Sequence, residues 1–123
     1  MKLPFAHHMI VRQEHLNQYG NLFGGRVLSV IDELAFIACE RTFPGKNFVT
    51  RAIQNAEFRA PAVLGDILEF RFGVEKVGNT SVTVRVQMSV YSGGRRRKAD
   101  SFDGAVVMVC VDQKGRPTPV TGK

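Results

Sequence analysis

Leu68, Phe70, Phe72 and Val74 alternate with Glu69, Arg71 and Glu75, and Val82, Val84, Val86, Met88 and Val90 alternate with Thr83, Arg85, Gln87 and Ser89. A period of two puts one set of side chains on a dry face and the other in water, so each run predicts a half-buried strand. Between them, Lys76-Val77-Gly78-Asn79-Thr80 carries a Gly-Asn turn signal that joins the runs as a hairpin. The stretch from about Gly24 to Arg41 has another period. With successive residues about 100° apart on a helix, Val27, Leu28, Val30, Ile31, Leu34, Ala35, Ile37, Ala38 and Cys39 cover well over half its circumference. Arg26, Ser29, Glu33 and Glu40 share the remaining arc. Asp32 falls at the rim, between Cys39 and Leu28 on one side and Phe36 and Ser29 on the other. So wide an apolar surface predicts a helix wrapped by other structure, with Phe36 read as a core residue and the lining of an apolar pocket as its alternative or added role.

The remaining segments fit around that helix. His7–Gln13 reads as a short first strand, and the Asn and Gly content of residues 15–21 as a loop. Phe43-Pro44-Gly45-Lys46-Asn47 ends the helix, and Phe48–Phe58 is β-rich without clean alternation. Residues 59–66 form a turn region. Ser92-Gly93-Gly94-Arg95-Arg96-Arg97-Lys98 is a basic connection, and Ala105–Val111 is apolar on both faces, as a central strand would be. Asp112-Gln113-Lys114-Gly115 turns the chain into a tail marked by Pro117 and Pro119. The order is one strand, one long helix and four strands, mostly antiparallel by their short connections. A greasy helix followed by a single sheet predicts an α+β fold whose curved sheet wraps the helix.

With 123 residues, 44% apolar and 23% charged, the chain is expected to form one globular domain, residues 1–123, without internal repeats. Cys39 and Cys110 both lie in apolar runs, which suits buried reduced thiols, and neither has a C-x-x-C neighbour. The start M-K-L-P-F-A-H-H-M-I lacks a sustained apolar region, and no run approaches the roughly 18 apolar residues of a membrane span. A soluble cytoplasmic protein without a membrane partner is therefore expected. The net charge of +6 favours an anionic partner. The Arg95–Lys98 run lacks interleaved aromatics, so nucleic acid is not expected to be that partner.

The candidate chemistry lies in Asn17–Asp32. Gly24 and Gly25, at a helix start, can offer backbone N–H donors that no side chain obscures, or can simply permit a tight turn. Asp32, at the edge of an apolar face, is a candidate base or nucleophile, against the commoner fate of a solvated carboxylate. Asn17 could orient a water or form a turn. Ser29 more readily bonds its own helix backbone. His7, His8 and His15 form no metal set, no metal is assigned, and His15 reads as a solvated loop residue.

Asn17-x-x-Gly20-x-x-Phe23-Gly24-Gly25 with Asp32 downstream, Phe58-x-x-Pro61-x-x-x-Gly65-Asp66, Val77-Gly78-x-Thr80-Ser81 and Val111-Asp112-x-x-Gly115-x-Pro117 together resemble the hotdog-fold acyl-CoA thioesterases, over essentially the whole chain. That resemblance implies hydrolysis of acyl-CoA thioesters without a cofactor, coenzyme A being part of the substrate. It implies carbonyl-polarising amides at Gly24 and Gly25, Asp32 as general base or nucleophile, and Asn17 pairing with the acid of the other half. The CoA phosphates would then lie at Arg95, Arg96 and Arg97, or near Arg59 and Lys76, with Gly78, Asn79, Thr80 and Ser81 adding donors. A basic hairpin that only blunts a sheet edge is the alternative for the arginine run. Asp32 is eight residues beyond Gly24 (32 − 24), roughly 12 Å along one helix. One carbonyl cannot easily touch both, so a homodimer with composite sites is expected, as the resemblance also implies, extending to a tetramer or hexamer. A non-catalytic acyl-CoA-binding or sensing module is the alternative function. A hotdog dehydratase would need a site histidine that the sequence does not supply.

Overall fold

The expected helix runs over Gly24–Thr42 (α1) in a computed structural model that describes residues 3–92 and 98–121. Phe23 precedes it in an extended conformation and supplies no side-chain cap. The chain at this end is held from outside instead: Leu22 N–H donates to the Ala62 carbonyl at 2.7 Å and Phe23 N–H to that of His15 at 2.9 Å. At the other end Phe43 N–H closes the last turn on Cys39 O at 2.8 Å. Pro44 cannot continue the ladder, and Gly45 turns the chain away at φ +86°.

Five strands follow the expected order: β1 (Phe5–Ile10), β2 (Asn47–Phe58), β3 (Ile67–Val77), β4 (Ser81–Tyr91) and β5 (Lys98–Val111). They form one antiparallel sheet in the order β1-β3-β4-β5-β2. Its inner face buries Leu68, Phe70, Phe72, Val82, Val84, Val86 and Met88 together with Phe102, Val106, Met108 and Cys110 against Val27, Ile31, Leu34, Ala35, Ala38 and Cys39 of α1. Each large side chain so buried contributes about 1.5–3 kcal/mol. The hairpin of alternating residues pairs as its pattern implies, Leu68 opposite Val90 and Phe72 opposite Val86. Both cysteines are free and buried; burial pushes the Cys39 thiol up to about 12.

Four details depart from the expectation. The first strand ends at Ile10 rather than Gln13, because residues 13–15 form a 3-10 turn. His15 is buried, not solvated: its Nδ1 accepts the Arg12 backbone N–H at 3.0 Å. The last strand begins at Lys98, seven residues before Ala105 (105 − 98). Its early polar positions find partners that apolar patterning does not register. The Ser101 hydroxyl donates to the Ala60 carbonyl, and Asp103 accepts both Arg85 Nε and Nη2 at 2.7 Å. Finally, Phe36 is 43% exposed, outside the core. The sheet wraps only part of the helix and leaves a flank open.

The Arg85–Asp103 fork lies on the outer face and joins β4 to β5. Its hydrogen bonds hold the Asp103 carboxyl below its ordinary 3.8. A depressed carboxylate pKa stabilises the fold above the unfolded value, and that contribution disappears as pH falls through the folded one. Asp103→Asn is therefore expected to be less stable than wild type at pH 7. The difference should shrink below pH 3.8, measured by urea unfolding across pH; a gap constant down to acid would rule the fork out as its source.

Candidate functional site

The candidate site residues gather toward the two ends of β2. Among the described residues β2 pairs only with β5, so its other edge carries backbone groups that none of them pairs. Along it only Phe48 is buried; Val49 is 51% and Phe58 50% exposed. The register shifts twice, between Thr50 and Ala52 and between Gln54 and Glu57. Each shift reverses which side chains face the helix. Phe48 and Thr50 lie inward opposite Cys110 and Met108, Ile53 opposite Val106, and Phe58 opposite Phe102.

Thr50 thereby reaches α1. Its hydroxyl donates to Asp32 Oδ1 at 2.5 Å, and the Asp32 side chain is half-buried. Among the described residues Oδ2 has no hydrogen-bond partner, which leaves one oxygen for a water. Thr50 was not singled out in the sequence. The signal that would have found it is the phase of β2, which the first bulge conceals.

At the helix start, the recorded first-turn bonds begin with Arg26 N–H and Val27 N–H, both to Phe23 O, at 3.0 and 3.3 Å. The Gly24 and Gly25 amides, which a helix leaves unpaired, have no acceptor among the described residues. A Cβ on Gly25 would meet the Phe23 ring at 2.6 Å, so the bare backbone there is what lets that ring lie over the first turn. A Cβ on Gly24 would meet the Phe58 ring at an ordinary 3.7 Å, so space alone does not demand glycine there. A cavity of about 350 Å³ opens here, lined by Leu22, Gly24, Val27, Phe58, Ala62 and Met88 among others.

Asn17 acts within its own loop. Its Oδ1 accepts the Tyr19 and Asn21 amides at 2.8 and 3.1 Å, and its backbone N–H donates to Asn21 O at 2.8 Å. Only the side-chain Nδ2 is left to act on anything outside. Arg59 is tied to Glu57 at 2.8 Å and lies 3.9 Å from Asp103. The Gly78–Ser81 turn is closed by Gly78 N–H on Ser81 O at 2.7 Å, and Asn79 O accepts Val120 N–H. Arg59 N–H bonds Ser101 O, while Ser81 sits opposite Val109. Eight residues of β5 (109 − 101) separate them, roughly 26 Å. One chain therefore does not bring Arg59 together with Lys76, Gly78, Asn79, Thr80 and Ser81. Arg95, Arg96 and Arg97 lie outside the described residues. Nor does one chain bring the Gly24 and Gly25 amides to Asp32, since both lie on α1 about two turns apart. Among the described residues no group of three or more His, Cys, Asp and Glu side chains could hold a metal ion, and no helix is long and apolar enough to cross a membrane.

Residues 19–95 match the model of the thioesterase superfamily. The chain belongs to that superfamily. Within it, the chain is 30% identical over 111 residues to the acyl-CoA thioester hydrolase YciA of Salmonella typhimurium, covering 86% of this chain and 83% of that protein. It is 28% identical over 99 residues to VdlD of Helicobacter pylori, covering 80% of this chain; the chain spans only 56% of VdlD's length. A crystal structure of an apo-hexameric acyl-CoA thioesterase superimposes with a TM-score of 0.86 at 30% identity, over 94% of this chain and 73% of that one. The curved five-stranded sheet around one long helix is thus the hotdog fold of the thioesterase superfamily, as expected.

Proposed function

We propose that the protein hydrolyses acyl-CoA thioesters at sites shared between two subunits. The observation that carries this reading is the placement of two half-sites at opposite ends of one open strand. Asp32 with Thr50 lies toward the start of β2, and the Gly24 and Gly25 amides beside Phe58 lie at its end. Two copies pairing antiparallel along β2, about a two-fold axis near the strand's middle, exchange these ends. Asp32 of one subunit then faces the amides of the other. The exposed Val49, Ile53, Phe58 and Phe36 along this seam give the pairing its apolar area. The same operation carries the Gly78–Ser81 turn and Lys76 to the end of the sheet where the partner subunit's Arg59 lies, a rim suited to CoA phosphates.

The chemistry follows from these groups. The thioester carbonyl oxygen accepts the two helix-start N–H groups, which stabilise the negative charge that develops on it. Asp32, oriented through Oδ1 by Thr50, takes a proton from water through Oδ2. The water oxygen bonds the carbonyl carbon, the C–S bond breaks, and the CoA thiolate takes up a proton. In the nucleophilic variant Asp32 attacks the same carbon, the C–S bond breaks to release the CoA thiolate, and water then hydrolyses the mixed anhydride left on Asp32; a transient acyl mass on the protein after rapid quench of a single turnover would identify it. Asn17 supports the site by holding the loop that delivers Phe23, Gly24 and Gly25. The names carried by YciA and by the hexameric neighbour support both the substrate class and assembly beyond the dimer. Thiol release from a panel of acyl-CoAs of increasing chain length is the test. Hydrolysis of at least one member is expected. Tight CoA binding with no release at any length would instead identify a non-catalytic sensing module.

A further inference from the structure

Resting on the hydrolase reading, we propose that Asn55 is a positioning residue for the helix-start half-site: its left-handed backbone sets the second bulge of β2 and so turns Phe58, in place of Glu57, toward Gly24. Asn55 has φ 54°, the only positive φ of a non-glycine among the described residues. Left-handed backbone is disfavoured for most side chains but tolerated by asparagine. It falls where β2 advances three residues, 54 to 57, while β5 advances two, 105 to 103. The opposing strand makes room for the surplus. Gly104 carries no Cβ where one would stand 2.9 Å from the Phe102 ring and 3.4 Å from the Ala56 Cα.

The consequence for the site is a matter of phase. With the bulge, Glu57 lies opposite Asp103 on the outer face, where it pairs with Arg59, and Phe58 lies opposite Phe102 on the inner face at 5.1 Å between ring centroids. Without it, the register of Gln54 opposite Ala105 would continue unbroken. Glu57 would then lie opposite Phe102 and face inward, and Phe58 would face out. A carboxylate would replace an aromatic ring beside amides meant for a carbonyl oxygen, and the cavity there would lose its apolar wall. Asn55 itself is exposed and lines the outer surface. Its influence on the site passes through the backbone alone.

That assignment orders a substitution series by tolerance of left-handed backbone. Asn55→Gly should keep kcat/KM at or above the wild-type value, Asn55→Ala should lower it, and Asn55→Val should lower it furthest, by roughly 10- to 100-fold. The same proteins are examined by NMR for the nuclear Overhauser contact between the Phe58 ring and the Gly24 Hα, a readout independent of turnover. The contact is expected in wild type and Asn55→Gly, and weakened in step with activity in the other two. Should Asn55→Val fail to fold, Asn55→Ala against Asn55→Gly carries the comparison. Loss of the contact with unchanged kcat/KM would overturn the positioning role while leaving the hydrolase reading intact. Contact and activity both retained in Asn55→Ala and Asn55→Val would overturn the role as well. A wild-type protein that keeps the contact but hydrolyses no acyl-CoA would refute the hydrolase reading, and with it a positioning role in that reaction.

Discussion

Asp32→Asn is expected to lower kcat by about 10²–10⁴-fold while leaving the oligomer's size unchanged. Asparagine has nearly the same shape as aspartate, and its Oδ1 can still accept the Thr50 hydroxyl bond recorded at 2.5 Å. It cannot take a proton from water or attack a carbonyl carbon at a useful rate. The loss therefore belongs in kcat and kcat/KM together, with KM little moved, the pattern of a group that acts only in the transition state. The comparison is made by steady-state thiol release, with size-exclusion elution alongside. A variant whose kcat stayed within about threefold of wild type would remove Asp32 from the chemistry, however well placed it is.

The second large effect concerns whose amides meet whose acid. Gly25→Val is expected to be inactive, because its Cβ would meet the exposed Phe23 ring at 2.6 Å and push it aside, and the branched side chain would crowd the approach to the helix-start amides. Asp32→Asn is inactive for a separate reason. If the site is composite, unfolding and refolding the two inactive proteins together restores activity. The heterodimer joins the intact glycines of one chain to the intact acid of the other. Half of the dimers are mixed and each holds one good site of two, so about a quarter of wild-type activity should return. Sites contained within single chains would return none. This is the sharpest test of the shared-site reading, because two dead proteins must make a live one.

What the sequence discloses about these features depends on whether a pattern survives the path of the backbone. β3 and β4 were legible because their alternation is unbroken over most of their pairing, from Leu68 opposite Val90 to Val74 opposite Val84. α1 was legible from its arc, and the angular position of Asp32 at the rim of that arc is where the structure puts it. β2 was only vaguely strand-like because two bulges reverse its phase within twelve residues. Phe48, Thr50, Ile53 and Phe58 share a face, yet no fixed period links them. Thr50 was for that reason invisible as the partner of Asp32, and Phe58 as the neighbour of Gly24. The outer-face fork of Arg85 and Asp103 joins residues 18 apart in sequence, and charge composition alone cannot pair them. Phe36 read as core because periodicity reports apolar character; it does not reveal whether the covering layer comes from the same chain.

The bare margin of β2 bears on how the molecule is made. A solitary copy leaving the ribosome carries a row of unanswered amides and carbonyls flanked by Val49 and Phe58, a template on which any other extended polypeptide can settle. Scarcity of its own kind is then the hazardous condition. Dilution would expose the margin to strangers, and the protein's shelf life in a tube should lengthen as its concentration rises, the reverse of ordinary precipitation.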